Sequence, residues 1–232
     1  MNTTTSRMVA AATGALVLVL GSTAMSSLAH PGSRPRAIDL TASAHPTAAA
    51  PEVSDTAFDV SLSWRHSVRA DTTAVSSAGC RNCRGDASTL QVVYAHRPHE
   101  LEADNAAVAW AHCRKCGSTA VSVQVVVVHG GPLLTAHNRA FAANAACRRC
   151  HTAALAYQIV VEAPDAERLS RAAVQELWAW VEEQSRLLRE GAGGAARRAP
   201  SANAGADATA TLEGLVNDDL GSRTDRVDVD RM

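Results

Sequence analysis

A short motif recurs three times in this chain at nearly constant spacing. The tetrads Cys80–Cys83, Cys113–Cys116 and Cys147–Cys150 lie 33 and then 34 residues apart, and they contain all 6 cysteines. An Ala comes four residues after each second cysteine and a Gln eight residues after it, so the repeated unit reads C-R-x-C-x3-A-x3-Q-[VI]-V. A period in this range is typical of repeat architectures.

The residues on both sides of each tetrad alternate with the two-residue rhythm of strands. Before the second tetrad, residues 105–112 place Ala on one side, and Val108 and Trp110 on the other. After it, residues 121–128 are β-branched at most positions. Two strands joined by a four-residue corner predict a β-hairpin, in which the two cysteines of a tetrad face each other.

We therefore predict a mainly β fold, with three hairpin-like CxxC repeats in a meander over residues 58–163. The meander opens with a strand at 58–65, whose alternation predicts a core face of Phe58, Val60, Leu62 and Trp64. The third repeat has one extra residue before its cysteines, which we interpret as a β-bulge.

An α/β repeat is the alternative fold, because the Ala-rich segment 138–146 before the third tetrad would also suit a helix. The recurring Gln has two interpretations as well. It is either a half-exposed strand residue or a side chain that forms a ladder between stacked repeats.

A single amphipathic helix is predicted over residues 164–190, where apolar residues recur near a period of 3.6. Asp165 lies at its expected start and Gly191 is placed to end it. We expect this helix to cover the apolar face of the sheet, with binding of a partner or of a membrane interface as the alternative.

Both ends of the chain have the composition of tails. Residues 1–29 predict a secretory signal peptide, with Arg7 before an apolar run and small residues up to Ala29. Its alternative is an uncleaved anchor helix. Residues 30–57 predict a disordered linker rich in Pro, Ala, Ser and Thr. Residues 191–232 predict a disordered tail, apart from a short helical turn near residues 212–220. The protein is thus expected to be secreted or extracytoplasmic.

An exported chain with an even number of cysteines favours disulfides, because its compartment is oxidising. We predict one bond within each tetrad, using Cys80, Cys83, Cys113, Cys116, Cys147 and Cys150. A redox-active dithiol is one alternative, since the Arg after each first cysteine favours a thiolate. Structural zinc is the other, since two CxxC pairs can supply four ligands and His112 and His151 flank tetrads.

No motif predicts catalysis. The segment His96–Glu100 is neither H-E-x-x-H nor its inverse, Pro98 would break the helix that such motifs need, and His129 and His137 flank a Gly-Gly-Pro loop. The net charge of −1 and an aromatic content of 3% argue against nucleic acid as a partner. We assign no catalytic residue and expect no cofactor, and we expect membrane contact only through an uncleaved signal segment.

The repeats resemble a family of actinobacterial exported proteins with the pattern N-x-A-x-A, a short gap, then C-x-x-C-x-T-x-A-x-[AS]-[YF]-Q-x-V. The third repeat is the most similar, and its matching residues include Asn138, Ala140, Thr152, Tyr157 and Gln158. Coverage runs from about residue 58 to about residue 190. Some similar chains are described as peptide zinc metalloproteases, which implies a separate catalytic region.

The resemblance implies an exported, repeat-bearing CxxC protein without an assigned activity. We accordingly expect a non-enzymatic structural or interaction protein that is built from disulfide-stapled repeats and that meets an unknown protein or cell-envelope partner. A thiol–disulfide redox protein and a structural zinc-binding protein remain as alternatives.

Overall fold

A computed structural model of the chain describes residues 36–163, 167–192, 202–221 and 224–232. The predicted signal peptide, residues 1–29, lies outside this part of the chain.

The described chain begins with eight strands that alternate with short corners. They are β1 (Arg36–Ala44), β2 (Glu52–Ser63), β3 (Ser67–Ala78), β4 (Arg84–His96), β5 (Glu100–Ala111), β6 (Gly117–His129), β7 (Leu133–Asn144) and β8 (His151–Glu162). Two helices and a last strand follow: α1 (Arg171–Ala192), α2 (Ala202–Leu220) and β9 (Thr224–Arg231).

The strands form two sheets, and each repeat contributes one strand to each sheet. Sheet 1 has the order β1-β3-β5-β7, and sheet 2 has the order β2-β4-β6-β8-β9. Every pair within β1–β8 is parallel, and β9 runs antiparallel to β8. Each odd strand and the even strand after it make one coil, so β1–β8 wind as a solenoid of four coils, coil 1 to coil 4.

The mainly β repeat fold is confirmed, but the predicted hairpin meander is wrong. Strand β5 pairs with β3 and β7, and β6 pairs with β4 and β8, so the two strands that flank a tetrad are not neighbours in any sheet. Each corner carries the chain from one sheet to the other, and the backbone hydrogen bonds go to the next coil. The Ala-rich segment 138–146 of the α/β alternative lies largely in strand β7.

The register shows where the extra residue of the third repeat goes. Strands β5 and β7 pair continuously from Glu100↔Leu133 to Ala111↔Asn144, so no bulge interrupts them. The extra residue lies in the corner instead, where Ala146 has a φ of 49°. The predicted bulge is wrong because a corner absorbs an insertion without breaking the register of a sheet.

A column of Ala side chains fills much of the space between the two sheets. These small residues are largely buried and come from all four coils: Ala42, Ala44, Ala74, Ala87, Ala107, Ala109, Ala120, Ala140, Ala154 and Ala156. A Val- and Leu-containing cluster that includes Val68, Leu101 and Val126 continues this interior. Small side chains at equal heights in successive coils allow the two sheets to pack face to face along the stack.

Buried amides link the coils inside the solenoid, so the ladder interpretation of the recurring Gln is confirmed. Gln124 Nε2 donates to Gln91 Oε1 at 2.8 Å, and Gln158 Nε2 donates to Gln124 Oε1 at 2.7 Å. The same nitrogens donate across to sheet 1, for example from Gln124 to Ala70 O at 2.9 Å. A second step joins Asn105 Nδ2 to Asn138 Oδ1 at 2.7 Å.

Helix α1 covers the outer face of sheet 2, as predicted. Its Leu177 and Val181 are fully buried against a sheet face that includes Val123. The helix starts later than predicted because Ser170 caps it, with its Oγ accepting from Ala173 N at 3.1 Å. It ends at Ala192, one residue beyond the Gly191 that we expected to stop it.

The predicted core face of the opening strand is wrong for three of its four residues. Phe58, Val60 and Trp64 in coil 1 are 46%, 44% and 61% exposed, whereas Leu62 is partly buried and packs against the cluster under α1. Phe58 lies on the outer side of β2, with its ring 5.7 Å from that of Trp178, and Trp64 follows the end of β2. Coil 1 is the end of the stack, so α1 covers it less completely than it covers the later coils.

Parts of both segments that we expected to be disordered form regular structure. Strand β1 and the start of β2 make a coil without cysteines, which buries Ile38 and Ala42. Beyond residue 191, α2 buries Leu212 and Val216 in the cluster that α1 forms with sheet 2. Strand β9 then pairs with β8, and Asp230 Oδ2 accepts from Ala140 N at 2.9 Å.

Candidate functional site

The three CxxC tetrads stack in one column of corners between the two sheets. Backbone bonds join each corner to the next: Asn82 N donates to Arg114 O at 3.1 Å, and Lys115 N donates to Arg148 O at 2.9 Å. The strand that follows each corner is tied in the same way, for example by His151 N to Cys116 O at 2.9 Å. Repeats that are distant in sequence thus become adjacent steps of a single surface.

The third residue of each tetrad adopts a left-handed backbone conformation. The φ angles are 61° at Asn82, 58° at Lys115 and 56° at Arg149. Asn adopts this conformation comparatively easily, whereas Lys and Arg adopt it at a cost. The turn is tight enough to bring the first and fourth residues of the tetrad together.

The two cysteines of each tetrad lie side by side. Their Cα atoms are 5.3, 6.0 and 5.8 Å apart in the three successive tetrads. Separations of about 4.4–6.8 Å are usual for disulfides. Cys83 and Cys116 are buried and the other four cysteines are partly buried, all in one cluster with Ala78 and Ala111.

Neighbouring tetrads also approach each other, which separate hairpins would not have allowed. Cys150 Sγ lies 3.5 Å from Cys116 Sγ, and Cys147 Sγ lies 3.2 Å from Cys113 N. Cys113, Cys116 and Cys150 have sulfur atoms within 4.8 Å of one another. Among the described residues, this trio is therefore the group best placed to hold a thiophilic metal ion such as zinc.

The surroundings of the tetrads differ from those of a dithiol activated by a helix. The first cysteine follows a strand of sheet 1 and the second precedes a strand of sheet 2, so no helix begins at either thiol. The helix dipole that lowers a thiol pKa at a helix N-terminus is thus missing from these corners. The adjacent Arg residues remain as a source of positive charge.

Five exposed cations form a basic ridge on the outside of this corner column. The ridge consists of Arg81, Arg114, Lys115, Arg148 and Arg149, and these five residues alone line a shallow cleft of ≈ 390 Å³. In the part of the chain that the structure describes, none of the five forms an ion pair with a carboxylate.

A wider groove of ≈ 650 Å³ lies beside the ridge. Lys115 and Arg149 line it together with Arg84, His151 and Arg189 of helix α1, while Glu52 and Asp86 contribute the opposite charge. Asp86 also accepts a short hydrogen bond from the Thr119 hydroxyl. The positive surface of the corners thus continues towards the helix.

The corners that connect each even strand to the next odd strand carry a column of aromatic and imidazole rings. Trp64 contacts His96 at 4.1 Å between ring centroids, and His96 lies 5.6 Å from His129. Burial and, to a smaller extent, the nearby Arg97 lower the pKa of His96. His99, from the segment that we compared with metalloprotease motifs, meets the ring of His66 edge to face, at 4.8 Å between centroids.

Sequence reasoning identified the cysteine pairs but missed the basic ridge. The signal was present, because the two inner residues of the tetrads are Arg-Asn, Arg-Lys and Arg-Arg. Their charges become one surface only when the tetrads stack, and the hairpin prediction kept them apart.

Comparisons with known proteins gave no significant match. No protein-family model matches the chain, and no curated protein or solved structure is significantly similar to it. Within the described residues, neither helix has the length and apolar character that crossing a membrane requires.

Proposed function

We propose that this chain is an exported, non-enzymatic interaction protein whose CxxC pairs are disulfides that fasten the corners of the solenoid. The observation that carries the proposal is the position of all three pairs. Each pair lies at the same corner of its coil at a separation suited to a disulfide, and all six cysteines belong to one cluster with Ala78 and Ala111.

Such bonds would act locally. A loop this short gains little from loop-closure entropy, so each disulfide mainly fixes the turn at its corner. The left-handed conformation of Lys115 and Arg149 makes two of the three turns costly to maintain without a covalent link. The expected export to an oxidising compartment, and the resemblance to exported CxxC-repeat proteins, agree with this role.

The mass of tryptic peptides tests the proposal directly. Trypsin cleaves after Arg81, Arg114, Lys115, Arg148 and Arg149, that is, inside each tetrad. We expect the two halves of each tetrad to stay joined until a reductant is added, with no reactive thiols in the denatured, unreduced protein. Free thiols in all three tetrads of protein prepared without reductant would contradict the proposal.

Structural zinc is the second candidate, because Cys113, Cys116 and Cys150 come together from two coils. In this case we expect about one zinc ion per chain. Cys150→Ser should abolish zinc binding, whereas Cys80→Ser, outside the trio, should preserve it. Metal analysis of the two variants decides this, and equal zinc in both would exclude the trio as the site.

A further inference from the structure

The basic ridge concentrates like charges that form no ion pair within the part of the chain that the structure describes. Its five cations occupy the corners of three successive coils, and all five are exposed. Adjacent strands lie about 4.8 Å apart, a distance at which stacked like charges repel. The whole chain has a net charge of −1, so the ridge is a local feature rather than a result of overall composition.

The turn itself does not require cations. Asn82 occupies the left-handed position in the first tetrad, and the same position holds Lys115 and Arg149 in the next two. Asn suits this backbone conformation better than either cation. Two of the five charges thus stand where the local structure favours a different residue type.

A backbone donor is available at one end of the ridge. Asn82 N and Lys115 N each donate to the corner of the next coil, but Arg149 belongs to the last corner. Its N–H has no hydrogen-bond partner among the described residues. The equivalent N–H groups of Asn82 and Lys115 donate along the solenoid axis, so that of Arg149 is available to an oxyanion at the end of the ridge.

The shape and chemistry of the ridge indicate the kind of ligand. The cations follow the solenoid axis over three coils, which suits a linear chain with repeated charges better than a single ion. Arg presents its donors in a fork that matches phosphate oxygens. Because phosphate is tetrahedral, it can accept from forks on two neighbouring coils, whereas the two oxygens of a carboxylate lie in one plane and suit a single fork.

We propose that the basic ridge binds a linear phosphate polymer along the solenoid axis. The neighbouring groove is lined by four cations, Arg84, Lys115, Arg149 and Arg189, against the two carboxylates of Glu52 and Asp86, so its excess of positive charge extends the contact towards helix α1. The five residues of the ridge include no aromatic ring, so binding depends on the phosphates and not on stacking. This inference rests on the proposed role as an interaction protein and names the partner class of its corner surface.

Titration calorimetry of the oxidised full-length chain tests the inference with three polymers of similar length and charge. Inorganic polyphosphate and poly(glycerol phosphate) represent two sources of the same chemistry, and polyglutamate represents carboxylates. We expect at least one phosphate polymer to bind tenfold or more tightly than polyglutamate, and its identity names the source. Absence of binding to both, or equal affinity for polyglutamate, would overturn the inference.

Paired charge variants test the location. Lys115→Asn with Arg149→Asn places at both positions the residue that Asn82 already supplies, so the fold should be kept. The control, Arg65→Asn with Arg139→Asn, removes the same charge from exposed sites outside the ridge. We expect the ridge pair to weaken binding at least tenfold and the control pair less than twofold. Equal losses would overturn the assignment to the ridge.

Salt dependence provides an independent readout. Each phosphate contact releases counterions, so the slope of log Kd against log salt should decrease by about 1–2 in the ridge pair. An unchanged slope would argue against these contacts. Because tryptic peptide masses test the disulfides separately, failure of polymer binding would leave the disulfide proposal intact, and the reverse also holds.

Discussion

The two sheets of the solenoid come from the same repeats but face different surroundings. In sheet 1, strand β5 alternates strictly between buried and outward-facing residues. In sheet 2, strand β6 is buried along almost its whole length, because the opposite sheet covers one face and helix α1 the other. The comparison teaches that the pattern of a strand reports how many of its faces are covered.

Part of the outer face of sheet 1 carries charged side chains, although Trp110 and Phe141 are exposed on it as well, whereas the outer face of sheet 2 is apolar. Arg69 lies 2.9 Å from Asp71 and 3.6 Å from Glu102, with all three side chains partly exposed. Exposed ion pairs of this kind contribute at most about 1 kcal/mol. We therefore expect the free energy of unfolding to depend far more on the covered face of sheet 2.

The strongest test of this asymmetry is a buried charge. Val123→Asp places a carboxylate on the face of sheet 2 that α1 covers and should destabilise the protein by about 4 kcal/mol or more. Val108→Asp is the matched control on the outer face of sheet 1 and should cost less than about 1 kcal/mol. Urea unfolding followed by circular dichroism measures both, and similar costs would contradict the comparison.

Removing packing from the covering helix should have the next largest effect. Leu177 is fully buried, and Leu177→Ala should lower the free energy of unfolding by about 3 kcal/mol. Leu187 on the same helix is 46% exposed, and Leu187→Ala should change it by less than about 0.5 kcal/mol. Equal urea midpoints for the two variants would show that α1 does not stabilise sheet 2.

The glutamine ladder connects the two sheets. We therefore expect its loss to destabilise both sheets, and not sheet 2 alone. Gln124→Leu removes the bonds to Gln91 Oε1 and Ala70 O and takes one acceptor from Gln158, which keeps its bond to Ala103 O. We expect a cost of about 2 kcal/mol. Gln175→Leu, at an exposed position of α1, is the control, and hydrogen exchange should show faster opening of strands in both sheets only in the ladder variant.

The smallest expected effect is a pH dependence of stability that arises from Tyr157 on the covered face of sheet 2. Burial raises the pKa of Tyr157, because the interior disfavours the phenolate. Stability should therefore be unaffected by this group below its ordinary pKa of about 10 and should fall as pH rises further, where the unfolded chain loses the proton first. Tyr157→Phe should reduce that fall in the urea midpoint, and an identical fall would show that Tyr157 is not responsible.

The sequence predicted the grouping of side chains better than the pairing of strands. Ala107, Ala109 and Ala120 were expected on one face, and they do share the interior. A hairpin and a coil both keep this grouping. In a hairpin these residues share one face of a sheet, and in a coil they face each other across the interior. Alternation therefore could not distinguish strands that lie side by side from strands that face each other across a core.

Other features escaped prediction because their signals are spread over the repeats. Coil 1 has no cysteines, so only the alternation around Ile38 and Ala42 could have indicated it. Beyond residue 191 only a short helical turn near residues 212–220 was expected, because the full length of α2 and strand β9 depend on contacts with α1 and β8 rather than on local propensity. The basic ridge required the stacking of the tetrads, which no single repeat encodes.

The reversed strand β9 also limits how far the stack can grow. It occupies the edge of β8 where a fifth parallel coil would continue sheet 2, and it carries Arg226, Asp228 and Asp230. Without it, the apolar run around Ile159 would offer open hydrogen-bonding groups to the first coil of another molecule. We therefore expect this short charged strand to protect the edge of β8 and to discourage end-to-end polymerisation into fibres.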